Sequence, residues 1–183
     1  IVLDSLAAGK HVVTANKALL AEHGPEVFAA ARAADRAVAF EASVGGGIPI
    51  LGAINVGLAA NQIQSLAAIL NGTCNYILTQ MTQEGIAYAD ALAGAQALGY
   101  AEADPTLDVN GTDTAHKLAV LAQLAFGASV KTDDIPREGI DRLEIADLKY
   151  AHELGYTIKL LAHARLADGA LELRVAPSLV RND

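Results

Sequence analysis

From Ala42 to Gln83 the chain carries no charged residue. So long a stretch without a charge has to be kept from bulk water by a membrane, a core, a cleft or a subunit interface. A membrane span is ruled out, because Gly45-Gly46-Gly47, Pro49, Asn55, Asn61 and Gln62 interrupt every apolar run long enough to cross. The expectation is burial in a core, a cleft or an interface, with several of the Gly and Asn residues facing a ligand or another backbone.

The rest of the composition narrows the class. A chain of 183 residues can bury a core and hold one or two domains. Acidic residues outnumber basic ones, 21 to 13, and the basic ones do not cluster. That argues against a nucleic-acid partner, since phosphate neutralisation needs concentrated Lys and Arg. The single cysteine, Cys74, excludes an internal disulfide and fits a reducing, cytoplasmic compartment. The five histidines show no helical i,i+4 pairing, which argues against zinc. The chain begins at Ile1 inside an apparent helix, Ile1 to Ala8, with no signal peptide. It reads as an excised piece of a longer protein.

Punctuation by Gly, Pro and Asn divides the chain into an α/β order. Lys10 to Ala15 reads as a strand, His23 to Arg36 as a helix, and Ala37 to Val44 as a second strand. Helix–strand–helix–strand predicts parallel strands, whose ligands sit beyond the carboxyl ends. Asn16, Lys17, Glu41 and Ser43 lie near those ends. A helix from Gly47 to Ala60 and a strand from Ile63 to Leu70 follow. Asn71-Gly72-Thr73 leads into a helix ending near Gly85, and Tyr88 to Leu98 is another, closed by Gly99. A helix between Gly111 and Gly127 precedes a linker with Asp133, Asp134 and Pro136, and Asp141 to Leu154 is helical. Two β-rich runs, Tyr156 to Leu166 and Ala170 to Leu179, flank Asp168-Gly169, a strong hairpin signal.

Chemistry concentrates between Gly99 and Lys117. Glu102, Asp104, Asp108 and Asp113 crowd together ahead of a helix for which Thr112 is the expected N-cap. Asp113 and Lys117 then lie one turn apart on one face. Such a pair can grip an amino group and move a proton; equally, Asp in a first turn complements the helix dipole, and the pair is an ordinary surface one. Asn71-Gly72-Thr73, between a strand and a helix N-terminus, is either an anion site or a simple cap. Lys17 is either a cofactor-reaching lysine or a solvated one. The Glu41-to-Gly47 segment could bind a cation through a carboxylate and carbonyls, or simply turn the chain. It is not a dinucleotide fingerprint.

Taken together, these blocks resemble homoserine dehydrogenase. Asp104-Pro105-Thr106-Leu107-Asp108-Val109-Asn110-Gly111-Thr112-Asp113 with Lys117 matches the D-P-x-x-D-[LIV]-x-G-x-D-x-x-x-K signature of that family. Gly99-Tyr100-Ala101-Glu102, Thr14-Ala15-Asn16-Lys17, Glu41-Ala42-Ser43-Val44-Gly45-Gly46-Gly47-Ile48-Pro49 and Asn71-Gly72-Thr73 also fit, in the family's order. The resemblance implies an oxidoreductase, interconverting L-aspartate 4-semialdehyde and L-homoserine with NAD(P), on the route to threonine, methionine and isoleucine. It implies Lys117 as proton donor to the aldehyde oxygen, Asp113 as the group that orients it, and Lys17 and Asn16 beside the cofactor. Glu102, Asp108, Tyr100, Gly72 and Thr73 would hold the amino-acid end. Glu41 with the carbonyls of Val44, Gly46 and Ile48 would match a sodium site.

The implied fold is α/β: the trailing part of a Rossmann-like domain (1–44), then an α+β catalytic domain with a mixed sheet (45–155), then a β-hairpin of the dimerisation region (156–183). The implied assembly is a homodimer or higher. The strand and Gly-rich loop that hold the cofactor pyrophosphate are missing from this sequence, so the chain alone is expected to bind NAD(P) poorly and turn over little. Two other readings stand beside this one. One is a related amino-acid dehydrogenase. The other is a non-enzymatic cation-binding module on Glu102, Asp104, Asp108 and Asp113, whose spacing does not fit an EF-hand loop.

Overall fold

The computed structural model describes residues 1–182 and separates into two compact units. The first comprises Ile1–Gln64 and His116–Asp134; the second comprises Ser65–Ala115 and the chain from Ile135 onward.

The first unit opens with α1 (Val2–Ala7), β1 (Val12–Val13), α2 (Lys17–Ala34) and β2 (Val38–Ala39). β1 and β2 are parallel, with Val12 opposite Val38 and Val13 opposite Ala39. Leu6, Val27 and Ala31 form a small core, with Val2, Val12, Ala30 and Val38 against it. Both strands are shorter than the sequence suggests, and α2 is longer, starting at Lys17 rather than His23. The Asn16 side chain sets that start by accepting the Leu19 N–H at 3.0 Å. Pro25 is therefore inside the helix, where it removes a backbone donor. Gly24 beside it is required by packing: a Cβ there would come within 2.6 Å of Gln123 Oε1.

A short α3 (Ile50–Gly52) runs directly into a π-helical turn, Ala53–Gly57. Here the expected burial of the uncharged stretch fails in part. Ile48 and Val56 are exposed, and so is the chain from Gly57 to Gln62. Asn55, Asn61, Gln62 and bare glycine backbone solvate this segment without any charge. The later part of the stretch does form core.

The second unit holds an antiparallel sheet in the order β3 (Ser65–Ala68), β4 (Tyr156–Ala167), β5 (Ala170–Arg181). β4 and β5 pair along their full length, from Tyr156 opposite Arg181 to Ala167 opposite Ala170. Asp168 and Gly169 both have positive φ (50° and 79°), the turn that matches strand twist. A parallel bridge from Arg137 to Val175 adds the sheet's one parallel element among the described residues. The expected apolar alternation holds on β4, where Ile158, Leu160 and Ala162 are buried; on β5 Val175 is buried, while Leu171 and Leu173 are half-buried.

The helices of this unit are α4 (Gly72–Glu84), α5 (Tyr88–Ala97), α6 (Thr106–Val109) and α8 (Ile145–Glu153). α4 contributes Cys74, Ile77, Leu78 and Met81 to the core, and α8 contributes Leu148 and Ala151. α6 was not legible beforehand. It forms because Asp104 Oδ1 accepts both the backbone N–H (3.1 Å) and the hydroxyl (2.5 Å) of Thr106 after Pro105. α8 starts at Ile145 rather than Asp141, because Asp147 Oδ2 accepts the Glu144 N–H at 2.9 Å and closes the N-terminus there. α7 (Thr112–Phe126) begins in the second unit and continues in the first.

Candidate active site

The site grows from two helix starts in the second unit. Asn71 caps α4: its Oδ1 accepts the Cys74 N–H at 2.8 Å. That leaves Gly72 and Thr73 in the first turn, whose amides have no intramolecular hydrogen-bond partner among the described residues. A Cβ built on Gly72 would meet nothing within 4 Å, so this helix end is open. The Thr73 hydroxyl donates to the Tyr100 carbonyl at 2.6 Å, and the Tyr100 ring packs on Tyr76 with centroids 4.9 Å apart. Tyr100, Gly72 and Thr73 are thus neighbours.

The second start is α7. Thr112 lies inside the helix, one residue further in than expected, and Asn110 Oδ1 accepts its N–H at 2.9 Å. Asp113 therefore falls in the first turn, only 7% exposed, and Lys117 follows one turn later. The Asn71 amide ties the two starts together: Nδ2 donates to Asp108 Oδ1 at 2.6 Å and to Asp113 Oδ2 at 2.9 Å. Asp108 is held further through its carbonyl, which accepts from the Cys74 thiol at 3.2 Å and from the Gly111 N–H at 3.1 Å. Asp108 Oδ2 has no intramolecular hydrogen-bond partner among the described residues.

The remaining carboxylates separate by role. The Asp104 carboxyl sits below the usual carboxylate range because it accepts the Thr106 hydroxyl and then the Thr106 N–H; it shapes the loop. Glu102 is exposed, and Gln96 Nε2 donates to its backbone carbonyl at 3.1 Å. Among the described residues no three His, Cys, Asp or Glu side chains gather as a metal site. That removes the basis for a cation-binding module on these four carboxylates.

In the first unit, Asn16 and Lys17 stand just past β1, as expected, with Asn16 capping α2. Glu22 of α2 lies 3.8 Å from His116 of α7, the residue before Lys117. Both Glu41 oxygens accept backbone N–H groups, from Leu51 at 3.0 Å and Gly52 at 2.9 Å. The Ile48 carbonyl accepts from the Ile50 N–H at 2.8 Å. Val44 is buried and Gly46 takes a positive φ in the same loop.

Asn71 is the residue that sequence reasoning undervalued. It was legible as a cap, but a capping Asn spends only its oxygen and keeps two N–H donors. Two nearby carboxylates were the signal that those donors had a use.

Comparison with known proteins decides the family. A model described as homoserine dehydrogenase matches residues 49–183, and one described as its NAD binding domain matches residues 1–41. The chain belongs to the homoserine dehydrogenase family. A homoserine dehydrogenase of Pseudomonas aeruginosa is 55% identical over 100% of this chain and 42% of that protein. The crystal structure of one from Thiobacillus denitrificans superposes with a TM-score of 0.96 at 53% identity, covering 98% of this chain and 42% of that one. A hyperthermophilic archaeal homoserine dehydrogenase mutant, in complex with NADPH, has a TM-score of 0.83 at 28% identity and covers 100% of this chain and 52% of that one. The chain thus spans about two-fifths of the length of its bacterial relatives.

Proposed function

We propose that this chain carries the substrate-binding and proton-transfer part of an enzyme that interconverts L-aspartate 4-semialdehyde and L-homoserine with NAD(P). The observation that carries the reading is the carboxylate pair of half-buried Asp108 and buried Asp113, bridged by one amide, with Lys117 a turn along α7. The substrate has a fixed ammonium and a fixed carboxylate. Glu102 and Asp108 take the ammonium, through oxygens with no competing hydrogen-bond partner among the described residues. The first-turn amides of Gly72 and Thr73 take the carboxylate, at the positive end of the α4 dipole, with Tyr100 beside them.

These contacts hold the aldehyde in a near-attack position. The nicotinamide, when bound, supplies or accepts the hydride. Negative charge then builds on the aldehyde oxygen, where the Lys117 ammonium stabilises it and donates a proton. Asp113, one turn before it on the same helix, keeps Lys117 oriented. Asn16 and Lys17 fit the cofactor's reacting end, since they stand past the carboxyl end of a parallel strand. In this reading, residues 1–44 belong to the nucleotide-binding domain, 45–155 bind substrate, and the 156–183 hairpin pairs with a second copy. A monomer by light scattering at micromolar concentration would overturn the pairing. The single cysteine accords with a cytoplasmic location.

Oxygen donors in the Glu41–Ile48 loop suit a monovalent cation such as sodium. Each Glu41 oxygen keeps one lone pair beyond its backbone bond, and in this reading the Val44 and Gly46 carbonyls are the further hard donors. A sodium-dependent rise in melting temperature, lost in Glu41→Gln, tests it.

The reaction itself is tested in the whole protein that carries this chain. L-homoserine and L-aspartate 4-semialdehyde are assayed beside other semialdehydes and keto acids, following NAD(P)H absorbance. Preference for another amino-acid substrate would overturn the reading.

A further inference from the structure

We infer that Asn71 is a positioning residue of this site: its side chain locks the ammonium-binding Asp108 and the lysine-orienting Asp113 into one unit. The inference rests on the reading under Proposed function. Its support is geometric. Asn71 is 3% exposed, and every polar group of its side chain is engaged. Oδ1 is fixed by the Cys74 N–H, which orients the carboxamide and aims Nδ2 at the two carboxylates. That oxygen contact also fixes which end of the amide is the donor. One nitrogen with two N–H groups then serves Asp108 at 2.6 Å and Asp113 at 2.9 Å.

Two carboxylates within reach of one atom repel each other in a site partly shut from water. The amide offsets that repulsion without supplying a proton or a positive charge. It thereby leaves Asp108 Oδ2 available as an acceptor. Each carboxylate binds Nδ2 through one oxygen. Asp108 keeps Oδ2 for a substrate ammonium, and Asp113 stays on the turn before Lys117. The spacing of Asp108 and Asp113 is therefore set by a residue that touches neither reacting atom.

Capping and bridging can be separated by substitution. Ser and Thr replace Asn well as N-caps, because their oxygen can accept the same backbone N–H. Neither can reach both carboxylates with two N–H groups. Asn71→Ser and Asn71→Thr are made in the whole protein and compared with Gly85→Ala. Gly85→Ala strains the opposite end of α4, where φ is +65°, and touches no site residue.

The readouts are melting temperature, kcat, and KM for cofactor and amino-acid substrate. The bridging role predicts a 10- to 100-fold fall in kcat for the Ser and Thr variants, with cofactor KM unchanged. Their melting temperature should fall no more than that of Gly85→Ala, which keeps its kcat. A kcat within twofold of the unsubstituted protein, in a folded Ser or Thr variant, overturns the inference. So does failure of both variants to fold, which would make Asn71 a structural residue. An unsubstituted protein with no homoserine turnover overturns the functional reading instead.

Discussion

Gly139→Ala should destabilise the second unit by about 2–4 kcal/mol. Gly139 has no left-handed φ, so alanine costs nothing through its backbone angles; the cost is space. A Cβ at this position would collide with the Val109 carbonyl oxygen and lie 2.6 Å from Asn110 Cα and 2.7 Å from Asp141 Oδ1. The first two are backbone atoms, which cannot swing aside as the end of a long side chain can. Forcing a methyl group into such a contact costs about 1–3 kcal/mol. The Ile140 N–H donates to the same Val109 carbonyl at 2.8 Å, and losing that bond adds about 1 kcal/mol. Urea unfolding followed by circular dichroism measures the effect as a lower midpoint with an unchanged slope. Gly94→Ala is the control of opposite sign: it lies inside α5, its Cβ would meet only the Tyr76 hydroxyl at 3.8 Å, and it should stabilise by about 0.5–1 kcal/mol. Because Val109 and Asn110 link Asp108 to the start of α7, Gly139→Ala should also reduce turnover. A midpoint shift no larger in magnitude than the control's would refute the close-approach argument.

Lys117→Ala in the whole protein should lower kcat by about 10²- to 10⁴-fold while leaving cofactor affinity nearly intact; equal losses in both would remove Lys117 from proton transfer. Burial holds the Lys159 ammonium below its ordinary pKa, with only neutral hydrogen-bond partners described, Asn75 Oδ1 at 2.8 Å and Thr79 Oγ1 at 3.2 Å. The unfolded chain then binds more protons than the folded one in the window just below pH 10.5, so Lys159 makes stability rise with pH there. Lys159→Met should flatten that rise in urea midpoints measured at successive pH values; an unchanged slope would contradict the burial effect. The 183-residue chain expressed alone should bind NAD(P) far more weakly than the whole protein, and matching affinities by fluorescence titration would refute this.

Local signals survived translation into structure where a few adjacent residues decide the outcome. Asp168-Gly169 set the hairpin because both residues tolerate positive φ, and Asn71 with Gly85 bounded α4. The site blocks were legible for the same reason: Asp113 and Lys117 share a helix whatever surrounds it. Features that depend on distant partners were not legible. The exposure of Gly57–Gln62 depends on what packs there, which charge content alone does not give. The start of α2 turned on one Asn16 hydrogen bond that outweighed the breaker signal of Gly24-Pro25. The Asn71 bridge spans 37 and 42 residues of chain, a separation no local pattern encodes.

Cys74 gives this arrangement its own chemical reporter. It is the chain's one thiol, fully buried in the first turn of α4, with its sulfur against the Asp108 carbonyl. A maleimide or disulfide reagent can reach it only when the packing around that turn opens. The labelling rate of the native chain, under conditions where global unfolding is rarer still, therefore clocks local opening at the residue whose N–H holds the Asn71 side chain.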